Sequence, residues 1–282
     1  MRILTCVLLF STFLWHLEGS LFQGGLKTTE LVFGGSRARV GQFPSQVYID
    51  FFAKALGQNA SCGGTLLSTT HVLTAAHCVV AMGGYKTIMV GDINRRNPSA
   101  SAQWRGIKHI HTHPKYVHGA LPEHNDIAIV ELDKPVKLNK NVQLIKIAKN
   151  DALLTRKRIA VVSGWGTIGY NGNISLATDY LLYAELSLFS FNACNATYWH
   201  ALHDTEICAG ARNKGAGSGD SGGPLQVTHN GKAYQIGVVS WSLADHDAHQ
   251  HHQDKYPAVY TRVSSYCDFI ERILKKSYCV NI

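Results

Sequence analysis

Short bursts of apolar alternation run through most of the chain and mark it as strand-rich. Val47-Tyr48-Ile49-Asp50-Phe51 and Ile236-Gly237-Val238-Val239-Ser240-Trp241 have the pattern of half-buried strands, and the run from Thr65 to Leu73 is also β-like. Near the end the period changes: Tyr266, Ile270, Ile273 and Leu274 recur at helical spacing. Ser265 is a fair N-cap with Asp268 three residues on, which predicts a helix over about 265–275. At the other end, Arg2 precedes an apolar run from Ile3 to Trp15, followed by the small residues Gly19 and Ser20. That run falls short of the ~20 residues a spanning helix needs and reads as a signal peptide over 1–19. No internal repeat is visible, and the one biased tract is a histidine-rich loop at 245–254.

Against this background one hexapeptide carries chemistry. Gly219-Asp220-Ser221-Gly222-Gly223-Pro224 sets a serine in a tight turn. Its glycines at 219, 222 and 223 permit positive φ, leaving the Ser221 hydroxyl exposed and the Gly219 and Ser221 N–H groups directed at one point. A serine nucleophile needs a base, and the base needs an orienting acid. Ala75-Ala76-His77-Cys78 supplies a histidine after the β-like run, and Asn125-Asp126-Ile127-Ala128-Ile129-Val130 puts a carboxylate at the head of an apolar one. In that arrangement His77 takes the Ser221 proton and returns it to the leaving group, while Asp126 holds the tautomer and stabilises the imidazolium.

These segments, with Gly34-Gly35, Gly41-Gln42-Phe43-Pro44, Cys62-Gly63-Gly64-Thr65-Leu66, Ser163-Gly164-Trp165-Gly166, Ile207-Cys208-Ala209-Gly210 and Pro257-Ala258-Val259-Tyr260-Thr261-Arg262-Val263, make the chain resemble the chymotrypsin-like serine peptidases from Val32 to about Leu274. The resemblance implies an all-β fold of two packed six-stranded antiparallel β-barrels with the triad in the cleft between them. It also implies a C-terminal α-helix, whose apolar stripe is expected on the second barrel. The domain plan is a signal peptide at 1–19, a short propeptide at 20–31 and a peptidase domain at 32–282. The activity implied is that of a secreted, extracellular serine endopeptidase made as a zymogen. The competing class is a catalytically silent homologue acting as a secreted binding protein.

Six cysteines remain once Cys6 leaves with the signal. The resemblance pairs Cys62 with Cys78 and Cys194 with Cys208. Cys267 and Cys279 have no family counterpart. A helix from Cys267 to residue 275 climbs about 12 Å and four extended residues return about 13 Å, so the two can just meet.

The resemblance places a specificity pocket at Gly215, Ser240, Trp241, Ser242 and Ala258. Gly215 stands where trypsin-like members carry an acid, so cleavage after Lys or Arg is not expected. The Ser242 and Ala258 side chains should narrow the slot, and medium to large apolar residues such as Leu, Met or Phe are the expected targets. A disulfide that commonly braces this pocket is missing, with Gly217 at one of its positions, and looser walls follow. In the family, cutting before the residue at Val32 frees an ammonium that pairs with the carboxylate at Asp220. Here the preceding residue is Leu31, so a peptidase of apolar preference is expected to cut Leu31-Val32.

Asn59, Asn173 and Asn195 open glycosylation sequons usable in the secretory route. Four imidazoles within the 245–254 loop, at His246, His249, His251 and His252, could hold zinc or copper, but no fixed ligand spacing is present and a hydrophilic loop is the favoured reading. No metal or cofactor is called for. Expected partners are protein or peptide substrates and protein inhibitors of a monomeric enzyme. The net charge of +8 comes without a nucleic-acid motif, and no membrane association is expected.

Overall fold

The computed structural model describes residues 32–54, 57–120, 122–171 and 174–282. The expected signal peptide and propeptide, including Leu31, lie outside these residues, as does Asn173.

A short strand β1 (Ser36–Arg37) precedes the first half, formed by β2 (Gln46–Ala53), β3 (Gln58–Leu66), β4 (His71–Thr74), β5 (Met82–Val90), β6 (Gln103–Thr112) and β7 (Ala128–Leu132). The helix α1 (Ala76–Val80) follows β4. These six strands close in the order β2-β3-β4-β7-β6-β5, antiparallel throughout. The alternation read from Val47 to Phe51 delivers Val47, Ile49 and Phe51 to the interior. The run from Thr65 to Leu73 is two strands, not one. Ser68 Oγ accepts from Thr70 N at 3.1 Å and the Leu67 N–H donates to His71 O at 2.9 Å, so the Ser-Thr-Thr tract turns the chain back.

The second half contains α2 (Ala152–Thr155), β8 (Ile159–Gly164), a β9 (Thr167–Asn171) and β10 (Ile174–Ala177) hairpin, β11 (Leu182–Leu188), α3 (Phe191–Thr197), β12 (Glu206–Gly210), β13 (Pro224–His229) and β14 (Lys232–Trp241). After these come α4 (His246–His251), β15 (Ala258–Arg262) and α5 (Cys267–Leu274). β8 pairs with both β11 and β13, which closes β8-β11-β12-β15-β14-β13 into a second antiparallel barrel with β1 attached to β11. Two packed six-stranded barrels are therefore present.

The C-terminal helix departs from expectation in two respects. A 3₁₀ turn at Val263–Tyr266 occupies its expected first turn, so the α-helix starts at Cys267 and Ser265 does not cap it. Its apolar stripe joins the first barrel: Tyr266, Cys267, Phe269 and Ile270 pack with Val47, Leu66, Val79 and Ile127, and His113 meets the Tyr266 and Phe269 rings edge-on. Conversely, Val32 at the start of the described chain is buried in the second barrel with Ala216 and Tyr260. Disulfides join Cys62 to Cys78, Cys194 to Cys208 and Cys267 to Cys279, with Cα separations of 6.3, 6.2 and 6.0 Å. The last ties α5 to the tail, whose Val280 pairs in parallel with Ala148.

Candidate active site

His77 and Ser221, 144 positions apart in sequence, lie on segments that are tied together: Gly63 N of β3, the strand to which Cys78 is bonded, donates to Ser221 O at 2.7 Å. α1 carries His77, and its neighbour Cys78 is bonded to β3, which fixes the short helix that a five-residue segment could not sustain alone. Asp126 sits just before β7, opposite the end of β4. Its carboxylate accepts from His77 Nδ1 at 2.7 Å, from His77 N at 2.8 Å and from Ser240 Oγ at 2.5 Å, while Thr261 Oγ1 donates to its carbonyl at 2.7 Å. Accepting at Nδ1 fixes the tautomer and leaves Nε2 as the basic nitrogen.

Electrostatics follow from this geometry. Asp126 is completely buried, which alone would raise its carboxyl, but the His77 charge and the hydrogen bonds from His77 and Ser240 hold it below the usual carboxylate value. For His77 burial opposes the imidazolium, yet the charge and hydrogen bond of Asp126 outweigh it and raise the ring above its ordinary value. A second acid contributes. Glu123 Oε2 lies 3.8 Å from His77 Nδ1 and accepts from Tyr116 Oη at 3.0 Å. Burial, then repulsion from Asp126, raises the Glu123 carboxyl. Sequence reading passed over Glu123, although its place three residues before Asp126 was a usable signal.

The hexapeptide folds as a turn with a specific division of its amides. Asp220 N donates to Gly217 O, Gly222 N to Val239 O and Gly223 N to Asp220 O, at 3.0, 2.8 and 2.9 Å. Among the described residues, the N–H groups of Gly219 and Ser221 have no acceptor. Gly219 and Gly222 have φ of 94° and 76°, whereas Gly223 does not take positive φ. Gly223 is needed for space instead: a Cβ there would lie 2.7 Å from Asp220 O. Among the described residues no hydrogen bond links Ser221 Oγ to His77.

Asp220 points away from the cleft. Its carboxylate is fully buried and accepts from Gly166 N and Gly217 N, both at 2.8 Å. Burial pushes it up to about 6, against the lowering effect of those two amides. Gly164 and Gly166 are required by this carboxylate, since a Cβ at either would lie 2.1 and 2.6 Å from its atoms.

Beside Ser221 a cavity of about 90 Å³ is lined by residues including Ala216, Ser218, Ser242, His249 and Ala258, with Ser240 and Trp241 on its wall. Gly215 is not on this lining. A Cβ at Gly215 would lie 1.8 Å from Gln253 Oε1, so Gln253 fills the space in front of it. The histidine-rich tract is no simple hydrophilic loop but contains α4, whose N-cap Asp245 accepts from Ala248 N at 2.7 Å. Its imidazoles diverge: His246 stacks on Tyr170, His251 Nδ1 lies 3.0 Å from Asn213 Oδ1, and His249 is buried.

A two-barrel β-fold that carries a carboxylate-bound histidine on one barrel and a glycine-rich serine turn on the other is that of the chymotrypsin-like serine peptidases. The trypsin family model matches residues 32–270, and the chain belongs to that family. It is 35% identical over 256 residues to a venom protease of Bombus pensylvanicus, a match covering 87% of this chain and 100% of that protein. Chymotrypsin-like elastase family member 1 of Rattus norvegicus is 31% identical over 261 residues, covering 92% and 95% of the two chains. Venom serine protease Bi-VSP of Bombus ignitus is 35% identical over 251 residues, 84% of this chain and 66% of its own length. The protein is a serine endopeptidase, a hydrolase of protein substrates.

Proposed function

We propose that Ser221 is the nucleophile of a secreted endopeptidase, made as a zymogen, that hydrolyses peptide bonds after uncharged apolar residues through an acyl-enzyme. The observation that carries this reading is the His77–Asp126 pair, joined at 2.7 Å, with Asp126 held in turn by Ser240, which lines the cavity that Ser221 borders. His77 Nε2 removes the Ser221 proton as the hydroxyl attacks the carbonyl, and the free Gly219 and Ser221 amides receive the oxyanion. His77 then protonates the leaving amine, and water repeats the sequence to release the acid.

Apolar preference is supported by the absence of any acid on the cavity lining and by the likeness to a protein named as an elastase. Zymogen maturation is supported by a buried carboxylate, Asp220, that meets no cation among the described residues. After removal of signal peptide 1–19, cutting Leu31-Val32 detaches propeptide 20–31 from domain 32–282 and supplies the ammonium it lacks. Secretion to the extracellular space is supported by relatives named as venom proteases and by three disulfides. Of the sequons, Asn59 is exposed and Asn195 half-buried, and both are proposed glycan sites along with Asn173. The enzyme acts as a monomer open to protein inhibitors.

Material trimmed to begin at Val32 is expected to be labelled at Ser221 by a small organophosphonate, and Ser221→Ala to lose both label and peptidase activity. An unlabelled wild-type protein with a verified Val32 terminus would refute the assignment.

A further inference from the structure

The segment between Trp241 and Pro257 reaches into the substrate cavity from behind. His249 is 9% exposed, and its Nε2 lies 2.9 Å from Ala216 O and 3.0 Å from Ser242 Oγ. The carbonyl can only accept, so Nε2 carries the proton and is shared between these two oxygens. On its other side the ring meets Phe33 edge-on, with centroids 5.2 Å apart. Gln253 is fully buried and donates from Nε2 both to Ala216 O at 2.9 Å and to His249 O at 2.8 Å. Two side chains of one insert thus grip a single carbonyl, Ala216 O, next to Gly217.

The geometry points to His249, backed by Gln253, as the floor of the pocket that receives the side chain preceding the cleaved bond, and so as the residue that limits that side chain to a small one. The inference rests on the proposed role of Ser221 and narrows the expected apolar preference. The cavity of about 90 Å³ is well below the roughly 150 Å³ of an apolar cavity that admits a benzene ring. That accommodates the side chains of Ala, Ser, Val or Thr and has no room for a phenyl ring. Leu and Phe, expected from the sequence, are therefore disfavoured by a side chain that the sequence shows only as one of several histidines in a polar tract. The same two residues brace the wall whose disulfide is missing: the Gly217 Cβ position lies 2.6 Å from Thr167 O, leaving no place for a cysteine, while Ala216 beside it is held by two donors.

The test uses the chain trimmed to Val32 with p-nitroanilide peptides identical except for Ala, Val, Leu or Phe at the cleaved position, active sites being counted by organophosphonate labelling. Wild type is expected to favour Val over Phe at least 10-fold in kcat/KM, on the scale typical of a hydrophobic pocket rejecting extra carbons. His249→Ala joins the ring's volume to the cavity and is expected to raise the Phe-to-Val ratio by about 10-fold or more. His249→Phe keeps a ring in place while Gln253 still serves Ala216 O, and is expected to keep the small preference. Wild-type cleavage of Phe and Val substrates at equal rates would overturn the inference even if the variants fail to fold, and so would an unchanged ratio in a labelled His249→Ala. Labelled wild type that misses the expected profile refutes this inference alone. Unlabelled wild type refutes the assignment of Ser221 as well.

Discussion

Asp220 makes the proposed switch at Val32 measurable as a difference between two forms of one molecule. In the uncut chain its carboxyl rises from 3.8 to about 6, because burial penalises the charge and only two amides offset it. A gap of about two pH units at 1.36 kcal/mol each means that ionised Asp220 costs about 3 kcal/mol. The sign follows from the raised value: the folded state holds the proton more tightly than the unfolded chain. Stability from this group therefore falls as pH climbs from about 4 to about 6 and stays low above that. In the proposed pairing, an ammonium at Val32 removes the penalty. The perturbation is a Ser221→Ala chain carrying K27D, T28D, T29D, E30D and L31K, so that a site-specific peptidase cutting after Asp-Asp-Asp-Asp-Lys frees Val32. Urea denaturation of cut and uncut material, followed by tryptophan fluorescence, gives the stability gap between them at pH 4 and pH 7. The gap is expected to widen by about 3 kcal/mol at pH 7, other titrations being common to both forms. It should shrink again in alkali, because an amine whose pKa is raised by its partner gives stability that is lost as pH rises through that folded value. A gap of equal size at pH 4 and pH 7 would refute the reasoning.

Other expectations follow from the same geometry. Gly164→Ala puts a methyl 2.1 Å from Asp220 Oδ1 and should abolish activity in cut material while leaving His77 and Asp126 untouched, as a loss of organophosphonate labelling would show. Asp126→Asn removes the acceptor that fixes Nδ1–H, and a fall in kcat of about 10⁴ is expected by analogy with the same change in a known triad. Glu123→Gln withdraws a negative charge 3.8 Å from Nδ1, so the imidazole pKa should fall and the acidic limb of the kcat/KM profile should move to lower pH. Replacing Cys267 and Cys279 together by Ser should cost about 3 kcal/mol in urea denaturation with little change in kcat/KM, since the bridge closes a short loop and neither cysteine lines the cavity beside Ser221.

Features encoded within a few neighbouring residues were legible before the fold was seen. The serine turn announces itself because its amides and glycines act on each other over six positions, and the β2 strand because Val47, Ile49 and Phe51 alternate. Juxtapositions set by long-range packing were harder. Phe269 and Ile270 give α5 its stripe, but nothing local says which barrel receives it. Ser265 looked like a cap because composition cannot tell a 3₁₀ turn from the first turn of an α-helix. His249 was hidden among imidazoles that the chain treats differently: a stack on Tyr170 for one, a buried place against Ala216 O for another. The hydrogen bonds that hold the pocket wall at Ala216 come from residues 33 and 37 positions further along, beyond the reach of a local reading.

The two ends of the described chain are exchanged between the barrels: Val32 lies within the second, whereas α5, which follows the last strand of the second, lies on the first. Each barrel thus completes its core with a segment belonging, by chain order, to the other, like two hands each holding the other's wrist. Neither half, expressed as a separate fragment, has all the apolar surface it needs, so the fragments should be soluble only when mixed. The intact molecule should melt in a single cooperative step, because the segments at the two ends of the described residues fasten each barrel to the other.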